Sequence, residues 1–491
     1  MLYERPRDAC GVFGIYRPGY AVAHMAFDGL FALQHRGQES AGIAASDGNT
    51  ITVVKDMGLV ASVFDDRTLS TLDGDMAIGH VRYSTTGSST WHNAQPVYRS
   101  SGEAGFAMGH NGNLTNTEML LSRLGLLPGI LSSDSDLVAE MLAAACEGSR
   151  FGDTVADSDI PRIVDSSYAI DRTVDLETAC LEVLPLLEGA FSFVIMDTTR
   201  IIGVRDPNGF RPLCLGKFED GWVLASETPA LDVIGAKLVR ELDPGEMIII
   251  SASGIRSLQP FSPHKIEPKL CIFEYVYFAR PDSILDGLEV NATRRKMGEL
   301  LAEQSPVDAD IVMGVPDSGV PAGEGYAKAS GIAYGQGLVK NRYIGRTFIN
   351  PSADARADGV RRKLNPLKST IEDRRIIVVD DSIVRGTTTK ALVRMLRESG
   401  AKEVHLRISS PPFEWPCFYG IDTPNRDELL AANLSHKEIE EFLGVDSLAF
   451  LSLSNLRLAV GGGKRNCDAC LTGNYPIPVK VDSISRRLAV S

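Results

Sequence analysis

The sequence has no apolar run long enough to cross a membrane and no excess of positive charge. None of its hydrophobic stretches approaches the roughly 20 residues that span a bilayer, although the chain has 491 residues. The amino terminus, MLYERPRDACG, is rich in charged residues and lacks the apolar core of a secretory signal. Lys and Arg number 50 against 63 Asp and Glu, a net charge of −13. We therefore expect a cytoplasmic protein with neither nucleic acid nor a membrane as its main partner.

Glycine and proline are too few for a disordered or collagen-like chain, since 46 Gly and 25 Pro accompany 44% hydrophobic residues. The length allows two large or three medium domains at about 150 residues each. We find no internal repeat and no low-complexity tract. Eight cysteines in a cytoplasmic chain are weak evidence for disulfides, because that compartment keeps thiols reduced. We therefore examine these cysteines as candidate metal ligands or catalytic residues.

The pattern of the chain changes near residue 260. Before it, short apolar segments separated by Gly and Asp-Pro clusters predict many strands with few helices, and a solvated, Asp-rich insertion without assigned function at 148–175. Prolines at 260, 263 and 268 predict an interdomain connection. Beyond it, nearly continuous apolar runs predict α/β alternation around a parallel sheet. The predicted strands are 76–78, 191–196, 201–204, 247–250, 311–315 and 376–379, and the predicted helices are 137–146 and 176–187.

The most informative motif is RRIIVVDDSIVRGTTT, residues 374–389. An apolar strand ends at Asp380 and Asp381, and Gly386 with three threonines then precedes a helix expected from about Lys390. Backbone N–H groups at a helix start, with threonine hydroxyls, form a cradle for a phosphate dianion. Adjacent acids at a strand end can accept hydrogen bonds from the vicinal hydroxyls of a ribose.

This motif resembles the phosphoribosylpyrophosphate (PRPP) signature of type I phosphoribosyltransferases. GVPDSGVPAG, residues 314–323, resembles the pyrophosphate loop of that family, and KNRYIGRTF, residues 340–348, resembles a lid that keeps water from PRPP. The resemblance implies PRPP binding by Asp380, Asp381, Ser382, Arg385, Gly386, Thr387, Thr388 and Lys340. It also implies that Ser318, Asp380 and Asp381 surround the Mg²⁺ that accompanies PRPP.

Cys10 in DACGVFGI is followed by four segments that change its interpretation from a small buried residue to a nucleophile. In their order they resemble the glutaminase domain of the N-terminal-nucleophile amidotransferases. The four segments are LQHRGQESAGI at 33–43, GHVRYSTTG at 79–87, GHNGNLTN at 109–116 and SSDSD at 132–136.

The chemistry of that family accounts for these residue types. Once residues 1–9 are removed as a propeptide, the thiol of Cys10 lies beside its own α-amine, whose unperturbed pKa of about 7.7 to 8.0 suits a base. By resemblance, the side chain of Asn111 and the backbone N–H of Gly112 stabilise the oxyanion. Arg82 then binds the α-carboxylate of glutamine and Asp134 its α-ammonium group.

Three other charged or titratable residues of these segments have less defined roles. We interpret His80 and His110 as structural histidines, because the α-amine already supplies the base. Arg36 either shapes a turn or closes over the substrate, and the sequence does not decide between them.

Four cysteines in the second half form a candidate metal site. Cys467 and Cys470 make a C-x-x-C pair, and Cys271 and Cys417 are two further thiols. Spacing alone does not choose between structural zinc and an iron-sulfur cluster. The four positions match the 4Fe-4S ligands of the cluster-carrying subgroup of glutamine PRPP amidotransferases, which implies a cluster that ties down the carboxy-terminal segment. The other cysteines, Cys146, Cys180 and Cys214, are expected in the core.

The order of the two resemblances, glutaminase first and phosphoribosyltransferase second, is that of the amidophosphoribosyltransferase family. It implies a propeptide at 1–9, a four-layer αββα glutaminase domain at 10–260 and a type I phosphoribosyltransferase α/β domain at 261–491. The implied reaction makes 5-phosphoribosylamine from PRPP and glutamine, releasing glutamate and pyrophosphate, as the first step of purine synthesis. Family members are typically homotetramers that purine nucleotides inhibit.

Two other classes of protein remain possible at this point. One is a different N-terminal-nucleophile amidotransferase, such as the hexosamine-forming type, which should carry sugar-isomerase domains where VVDDSIVRGTTT lies here. The other is a PRPP-sensing regulator without catalysis, which would need no glutaminase half and, if it bound DNA, should not be this acidic.

Overall fold

A computed structural model describes residues 10–83, 90–101, 105–126, 131–148, 173–341, 363–421, 423 and 425–479. The chain forms two compact units. The amino-terminal unit comprises Asp8–Leu270 together with Phe418–Asp422, and the carboxy-terminal unit is built from Cys271–Cys417 and Thr423–Ser491. The expected propeptide, most of the expected insertion at 148–175 and most of the expected lid at 340–348 lie outside the described residues.

The amino-terminal unit is built on antiparallel strands. They are β1 (Gly11–Tyr16), β2 (Ser40–Ser46), β3 (Ile51–Met57), β4 (Met76–Arg82), β5 (Val97–Arg99), β6 (Phe106–Leu114), β7 (Gly189–Met196), β8 (Arg200–Arg205), β9 (Cys214–Lys217), β10 (Trp222–Ala225), β11 (Lys237–Glu241), β12 (Met247–Ser251) and β13 (Gly254–Leu258). The helices are α1 (Ala23–Ala32), α2 (Val60–Val63), α3 (Asp66–Leu69), α4 (Thr117–Arg123), α5 (Asp134–Cys146), α6 (Leu176–Val183) and α7 (Pro229–Val233).

These strands form two sheets that pack face to face. One has the order β11-β9-β10-β1-β4-β2-β3 and the other β13-β12-β8-β7-β6-β5. Buried side chains of both sheets, such as Val12, Ile78 and Val194, share one apolar cluster. The outer face of the first sheet packs on α1 and α7, and that of the second on α4, α5 and α6. This confirms the expected αββα layers.

The predicted strands and helices of this unit are all found, with shifted ends. Helix α5 begins at Asp134 instead of residue 137, because the side chain of Ser133 accepts a hydrogen bond from the backbone N–H of Asp136 and caps the helix there. Helix α6 ends at Val183 and continues as a 3₁₀ turn over Leu184–Leu186. Pro185 has no N–H to continue the α-helical hydrogen bonds.

The carboxy-terminal unit alternates strands and helices. Its strands are β14 (Leu270–Cys271), β15 (Ile284–Leu285), β16 (Leu288–Glu289), β17 (Ile311–Gly314), β18 (Leu338–Lys340), β19 (Leu364–Pro366), β20 (Arg375–Asp380), β21 (Glu403–Ile408), β22 (Ser447–Phe450) and β23 (Asn466–Cys467). Its helices are α8 (Val290–Gln304), α9 (Gly319–Ser330), α10 (Lys368–Ile371), α11 (Thr387–Glu398), α12 (Leu430–Asn433), α13 (His436–Leu443), α14 (Leu453–Ala459) and α15 (Ala469–Thr472).

A parallel sheet with the order β17-β20-β21-β22 lies at the centre of this unit. Every residue of β17 is buried, as is β20 from Ile376 onward, as the continuous apolar runs predicted. The strands share one core with residues of α11 and α13. Helix α9 follows β17 and α11 follows β20, so the loops after both strands lie at the same edge of the sheet.

The boundary between the units falls at residue 270 instead of the expected 260. Residues 261–270 stay with the amino-terminal unit because they pair with the loop after β8. The backbone N–H of Glu267 donates to the carbonyl of Pro207 (3.1 Å), and that of Lys269 to the carbonyl of Asn208 (2.6 Å).

Among the described residues, no helix is long and apolar enough to span a bilayer.

Candidate active sites

Cys10 lies directly before β1 and is buried. Its thiol donates to the carbonyl of Tyr83 at 3.4 Å. Burial raises the pKa of the thiol, an effect that the hydrogen bond to Tyr83 and the charge of Arg82 oppose and the carboxylates of Glu39 and Asp134 reinforce. Three of the expected glutamine-site residues are therefore near one another, with Glu39 as an additional charged neighbour.

Arg36 fixes the backbone of the nucleophile. Its Nε donates to the carbonyl of Cys10 at 3.1 Å, and its Nη1 forms a fully buried ion pair with Glu227. His35 lies 2.7 Å from the same carboxylate. Arg36 thus shapes the turn at Cys10, which was one of its two expected roles. Glu227 was missed because it follows β10 far along the chain, outside every recognised motif.

Exchange of Glu227 for glutamine is expected to lower the free energy of unfolding by about 3 kcal/mol, because the charge of Arg36 would remain buried without its partner. Urea unfolding measures this loss. The control is Asp220→Asn, which removes an exposed partner of Arg17 (3.0 Å) and should cost less than about 1 kcal/mol. Equal losses in the two variants would contradict the role of the buried pair.

Asn111 and Gly112 lie on β6, beside the strand β7. Asn111 is fully buried, and neither Nδ2 nor Oδ1 of its side chain has a hydrogen-bond partner among the described residues. Gly112 has φ +153°, and a Cβ at this position would lie 2.0 Å from the carbonyl oxygen of Ala190. A buried amide without partners is costly, so its retention here is typical of a group that binds a ligand.

The two histidines lie in a buried network. Nε2 of His80 donates to the carbonyl of His110 at 2.9 Å, and burial lowers the pKa of His80 to about 3, so that ring is neutral near pH 7. The backbone N–H of His110 donates to Gln95 Oε1 at 2.7 Å. The ring Nδ1 of His110 lies 3.0 Å from Ser135 Oγ. Gln95 also donates to Ser135 Oγ at 2.9 Å. Gln95 and Ser135 had no predicted role.

Asp134 is the first residue of α5. Its carboxylate accepts from the backbone N–H groups of Ser135 (2.8 Å) and Leu114 (3.1 Å) and lies 3.7 Å from His110 Nδ1. Burial acts to raise the pKa of Asp134, but His110 and the two backbone donors outweigh it and hold that pKa below its ordinary value. The side chain is therefore an anion that can bind an ammonium group.

Arg82 ends β4 and is almost fully buried. Its Nη1 lies 4.0 Å from Glu39 Oε2. The remainder of its motif, residues 84–89, lies outside the described residues. A buried guanidinium close to Cys10 suits a carboxylate of the substrate.

In the carboxy-terminal unit, the loops after β17 and β20 pack tightly. The backbone N–H of Val315 donates to the carbonyl of Val379 at 2.8 Å. A Cβ on Gly319 would lie 2.5 Å from that same carbonyl and 3.2 Å from Cα of Asp380. The small residue lets the pyrophosphate-type loop approach the strand-end acids.

The expected acid and hydroxyl cluster forms at this edge. Ser318 Oγ and Ser382 Oγ both donate to the carboxylate of Asp381. The backbone N–H of Asp381 donates to Asp380 Oδ1 at 2.9 Å. Two carboxylates with neighbouring hydroxyls are the oxygen donor set that Mg²⁺ prefers.

Helix α11 begins at Thr387, three residues before the expected start. Gly386 precedes it with φ +80°, and a Cβ there would lie 2.6 Å from Leu430 Cδ2. The first-turn N–H groups therefore belong to the threonine segment itself. The helix therefore begins within the segment for which the motif predicted phosphate binding.

Two expected PRPP residues have protein partners. Lys340, at the end of β18, forms an ion pair with Asp317 of the pyrophosphate-type loop. Arg385 Nε donates to Glu428 Oε2 at 2.9 Å, so its guanidinium is paired with a carboxylate. The sequence did not predict Glu428 as a partner.

The four cysteines expected to bind a metal are all buried, and none of them forms a disulfide. Burial raises the pKa values of Cys467 and Cys470, and Cys271 and Cys417 raise both further, which places the four thiols near one another. Within the described ranges, no group of three or more His, Cys, Asp and Glu side chains is arranged to hold a single metal ion. Cys146, Cys180 and Cys214 lie in the core as predicted.

Comparisons with known proteins agree with this division. A family model described as "Phosphoribosyl transferase domain" matches residues 282–409, and one described as "Glutamine amidotransferase domain" matches 161–233. The fold and these matches define a glutamine amidotransferase unit joined to a phosphoribosyltransferase unit.

Full-length relatives are more specific. Amidophosphoribosyltransferase of Mycobacterium leprae is 50% identical over 98% of this chain and 84% of its own length. That of Synechocystis is 48% identical over 98% of this chain and 94% of its own. The solved glutamine PRPP amidotransferase of B. subtilis, complexed with ADP and GMP, superposes with a TM-score of 0.85 at 43% identity, covering 96% of this chain and 98% of that one.

The chain belongs to the amidophosphoribosyltransferase family. This excludes both alternatives from the sequence, the hexosamine-forming amidotransferase and the regulator without catalysis.

Proposed function

We propose that the two units divide the family's reaction, the amino-terminal unit releasing ammonia from glutamine and the carboxy-terminal unit transferring it to ribose. The reaction converts PRPP, glutamine and water into 5-phosphoribosylamine, glutamate and pyrophosphate, as the first step of purine synthesis. The observation that supports the proposal is that Cys10, Arg82 and Asp134 lie near one another in one unit. In the other unit, Asp380 and Asp381 end a strand that leads to the start of α11.

In the glutaminase step, removal of residues 1–9 gives Cys10 a free α-amine that accepts the thiol proton. Burial disfavours the thiolate, so a base within the same residue matters. The sulfur attacks the side-chain carbonyl of glutamine, and the oxyanion receives hydrogen bonds from the Asn111 amide and the Gly112 N–H. The C–N bond breaks, the ammonium of Cys10 protonates the leaving nitrogen, and water hydrolyses the thioester to glutamate.

Substrate orientation follows from the charges around the thiol. Arg82 binds the α-carboxylate of glutamine by a bidentate ion pair, and Asp134 binds the α-ammonium group. Asp134 is suited to this task because its neighbours keep it ionised. These two contacts fix the side-chain amide at the sulfur.

In the transfer step, Asp380 and Asp381 bind the ribose hydroxyls of PRPP, and the start of α11 binds the 5-phosphate. The phosphate contacts come from Ser382, Arg385, Gly386, Thr387 and Thr388, with Lys340 at the pyrophosphate. For Arg385 this requires the ion pair with Glu428 to open.

The same residues fit a magnesium ion. Ser318, Asp380 and Asp381 would hold Mg²⁺, because their oxygens are hard ligands gathered at one sheet edge. The ion supplies positive charge that stabilises the departing pyrophosphate. The carboxylates orient the sugar and favour positive charge at C1 as ammonia attacks.

Purified, processed protein should release pyrophosphate from PRPP only when glutamine or ammonia is present. Equal pyrophosphate release without any nitrogen source would overturn the proposed transfer. Release that depends on nitrogen, with glutamate formed in equal amount when glutamine is the donor, supports it.

We also propose a 4Fe-4S cluster on Cys271, Cys417, Cys467 and Cys470. Four thiols that share a buried environment fit thiolate ligation, because a metal group would compensate the cost of ionising them there. Strand β14 pairs with β23, and the carbonyl of Cys470 accepts from the backbone N–H groups of Glu414 (3.2 Å) and Trp415 (3.0 Å). The segments that carry the thiols are therefore also joined by backbone hydrogen bonds.

Cys467→Ser is expected to yield pale protein with little iron that proteases cut readily in the carboxy-terminal segment. The wild type should be brown, with about four iron and four sulfide per chain. Metal analysis and limited proteolysis measure this, with Cys214→Ser as a buried control outside the group. One zinc per chain without iron would make this a structural zinc site, and metal-free wild type would refute metal binding.

Finally, we propose a cytoplasmic homotetramer that purine nucleotides inhibit. The solved B. subtilis relative is complexed with ADP and GMP, which supports nucleotide binding. The eight cysteines form no disulfide, which fits a reducing compartment. Light scattering tests the tetramer, and activity measured with added GMP and ADP tests the inhibition.

A further inference from the structure

A short part of the second half of the sequence belongs structurally to the amino-terminal unit. Residues 418–421, here called the inserted segment, pack on the loop after β8 and on β6. Asn113 Nδ2 donates to the carbonyl of Phe418 at 2.9 Å. The rings of Phe210 and Tyr419 stack with centroids 4.3 Å apart.

Arg211 holds the middle of the inserted segment. Its guanidinium is fully buried and donates to the carbonyl of Tyr419 from both Nε (3.2 Å) and Nη2 (2.8 Å). A buried charge is tolerated only where hydrogen bonds compensate for its lost hydration, so these contacts are a fixed feature of the fold. No motif of the sequence pointed to Arg211.

The inserted segment packs against Gly112, the residue whose N–H is the proposed oxyanion donor. Gly420 has φ +97°, and a Cβ there would lie 2.9 Å from Arg211 Nη2, 3.2 Å from the carbonyl carbon of Gly112 and 3.3 Å from its Cα. The backbone of Gly420 therefore lies directly against Gly112. A methyl group at Gly420 would therefore crowd both Arg211 and Gly112, and the φ of +97° itself disfavours a side chain there.

Arg211 is itself anchored independently of the inserted segment. Its carbonyl accepts from Arg205 Nε (2.9 Å) and Ser192 Oγ (3.2 Å). The buried carboxylate of Asp206 accepts from the backbone N–H groups of Asn208 (2.8 Å) and Phe210 (3.1 Å), which fixes the loop. The hydrogen-bonded loop thus fixes the position of Arg211, and Arg211 in turn holds the inserted segment through the carbonyl of Tyr419.

We propose that Arg211 is a positioning residue for glutamine hydrolysis, which acts by pressing Tyr419 and Gly420 against Gly112. In this proposal Arg211 does not act on glutamine or the thiol directly. It acts on the placement of Gly112, whose N–H stabilises the oxyanion. The inference rests on the proposed role of Gly112. An oxyanion donor works by its placement relative to the transition state, so loosening Gly112 should lower kcat for glutamine with little effect on glutamine affinity.

The test compares Arg211→Met and Arg211→Lys at saturating PRPP. Loss of one oxyanion donor costs about 10² to 10³ in kcat, and we expect a partial displacement in Arg211→Met to lower the glutamine kcat about 10-fold. KM for glutamine should stay within about twofold, and the ammonia-dependent rate should stay unchanged. Arg211→Lys should recover part of the loss, since an ammonium can still donate to Tyr419.

Arg294→Lys is the matched control. Arg294 is also buried and donates to two backbone carbonyls, those of Tyr275 (2.7 Å) and Ala279 (2.8 Å), but in the carboxy-terminal unit. Its replacement should leave the ratio of glutamine-dependent to ammonia-dependent rates unchanged. A general loss of fold would lower both rates in every buried-arginine variant.

Gly420→Ala keeps the test open if the arginine variants fail to fold. It should also lower the glutamine kcat selectively, because its methyl group would push on Gly112. Gly254→Ala imposes a similar backbone strain at φ +102° with nothing within 4 Å of the added Cβ, and should retain the wild-type glutamine kcat.

Asn111→Ala, measured in parallel, distinguishes a failure of the positioning role of Arg211 from a failure of the proposed oxyanion site. If it lowers the glutamine kcat while the Arg211 and Gly420 variants do not, the positioning role is wrong and the proposed oxyanion site stands. If Asn111→Ala has no effect, the oxyanion assignment itself fails. An increase in KM alone in the Arg211 variants would also overturn the inference.

Discussion

Serine in place of Cys10 is expected to lower glutamine-dependent synthesis of 5-phosphoribosylamine by about 10³-fold or more, because a hydroxyl is a far weaker nucleophile than a thiol here. Synthesis from ammonia at high concentration should stay near the wild-type rate, since the carboxy-terminal unit needs only ammonia as its nitrogen donor. The two rates are measured on the same preparation, with glutamate and pyrophosphate assayed separately.

Cys214→Ser is the matched control for this experiment. Cys214 is also buried in the amino-terminal unit, and its thiol likewise donates to a backbone carbonyl, that of Ala225 at 3.2 Å. It should retain glutamine-dependent synthesis. Parallel loss of both nitrogen sources in folded Cys10→Ser would contradict the assignment of separate chemistry to the two units.

The uncleaved chain provides a second arm of the same prediction. With Ala9 still attached, the nitrogen of Cys10 is a peptide nitrogen and cannot accept a proton. The precursor should therefore behave like Cys10→Ser, with its state checked by mass spectrometry. Full glutaminase activity in an intact precursor would refute the α-amine as base.

Short motifs provided most of the candidate glutamine site, because Cys10, Arg82, Asn111 and Asp134 each lie in a contiguous segment. What supports them could not be found in this way. Glu227 pairs with Arg36 across 191 positions of sequence, and Arg211 meets Tyr419 across 208. Such partners are chosen by the packing of distant strands, and their local sequence carries no signal.

The fold followed the same rule. Buried strands such as β7 and β20 were predictable because β7 is apolar or small throughout and β20 is apolar from Ile376 to Val379. Strand β11 (KLVRE), whose first three residues are exposed, and the four-residue helices α2 and α3 have no period that a single sequence reveals. The inserted segment lies in the second half of the sequence but belongs to the amino-terminal unit. Nothing in its composition indicated this.

Strand order also explains why the motifs alone could predict which residues of the candidate PRPP site lie together. In a parallel sheet the carboxyl ends of neighbouring strands lie at one edge, so recognising β17 and β20 already placed Ser318 near Asp381. The start of α11 was misjudged by three residues, because a helix whose first turn is Thr-Thr-Thr begins before its amphipathic pattern does. The ion pair between Arg385 and Glu428 required the tertiary structure.

Exchange of Asp380 or Asp381 for asparagine is expected to lower phosphoribosyl transfer about 10²-fold or more with either nitrogen source. Both side chains are buried at the edge where the pyrophosphate-type loop arrives, and Asp381 is bound by Ser318 and Ser382. An amide keeps the shape but removes the negative charge that, in the proposed mechanism, would hold Mg²⁺ and favour positive charge at C1. Glutamine and ammonia rates should therefore fall together, in contrast to Cys10→Ser.

Asp310→Asn is the control for a carboxylate in the same sheet. Asp310 lies just before β17, at the opposite end of the strand, where it is exposed and pairs with Arg375 at 2.7 Å. Its loss should leave transfer unchanged, because the proposed PRPP site lies at the carboxyl ends of the strands. If both strand-end variants kept wild-type ammonia-dependent rates, the ribose and metal would have to bind elsewhere. A matching fall in Asp310→Asn would instead trace the effect to the stability of the sheet.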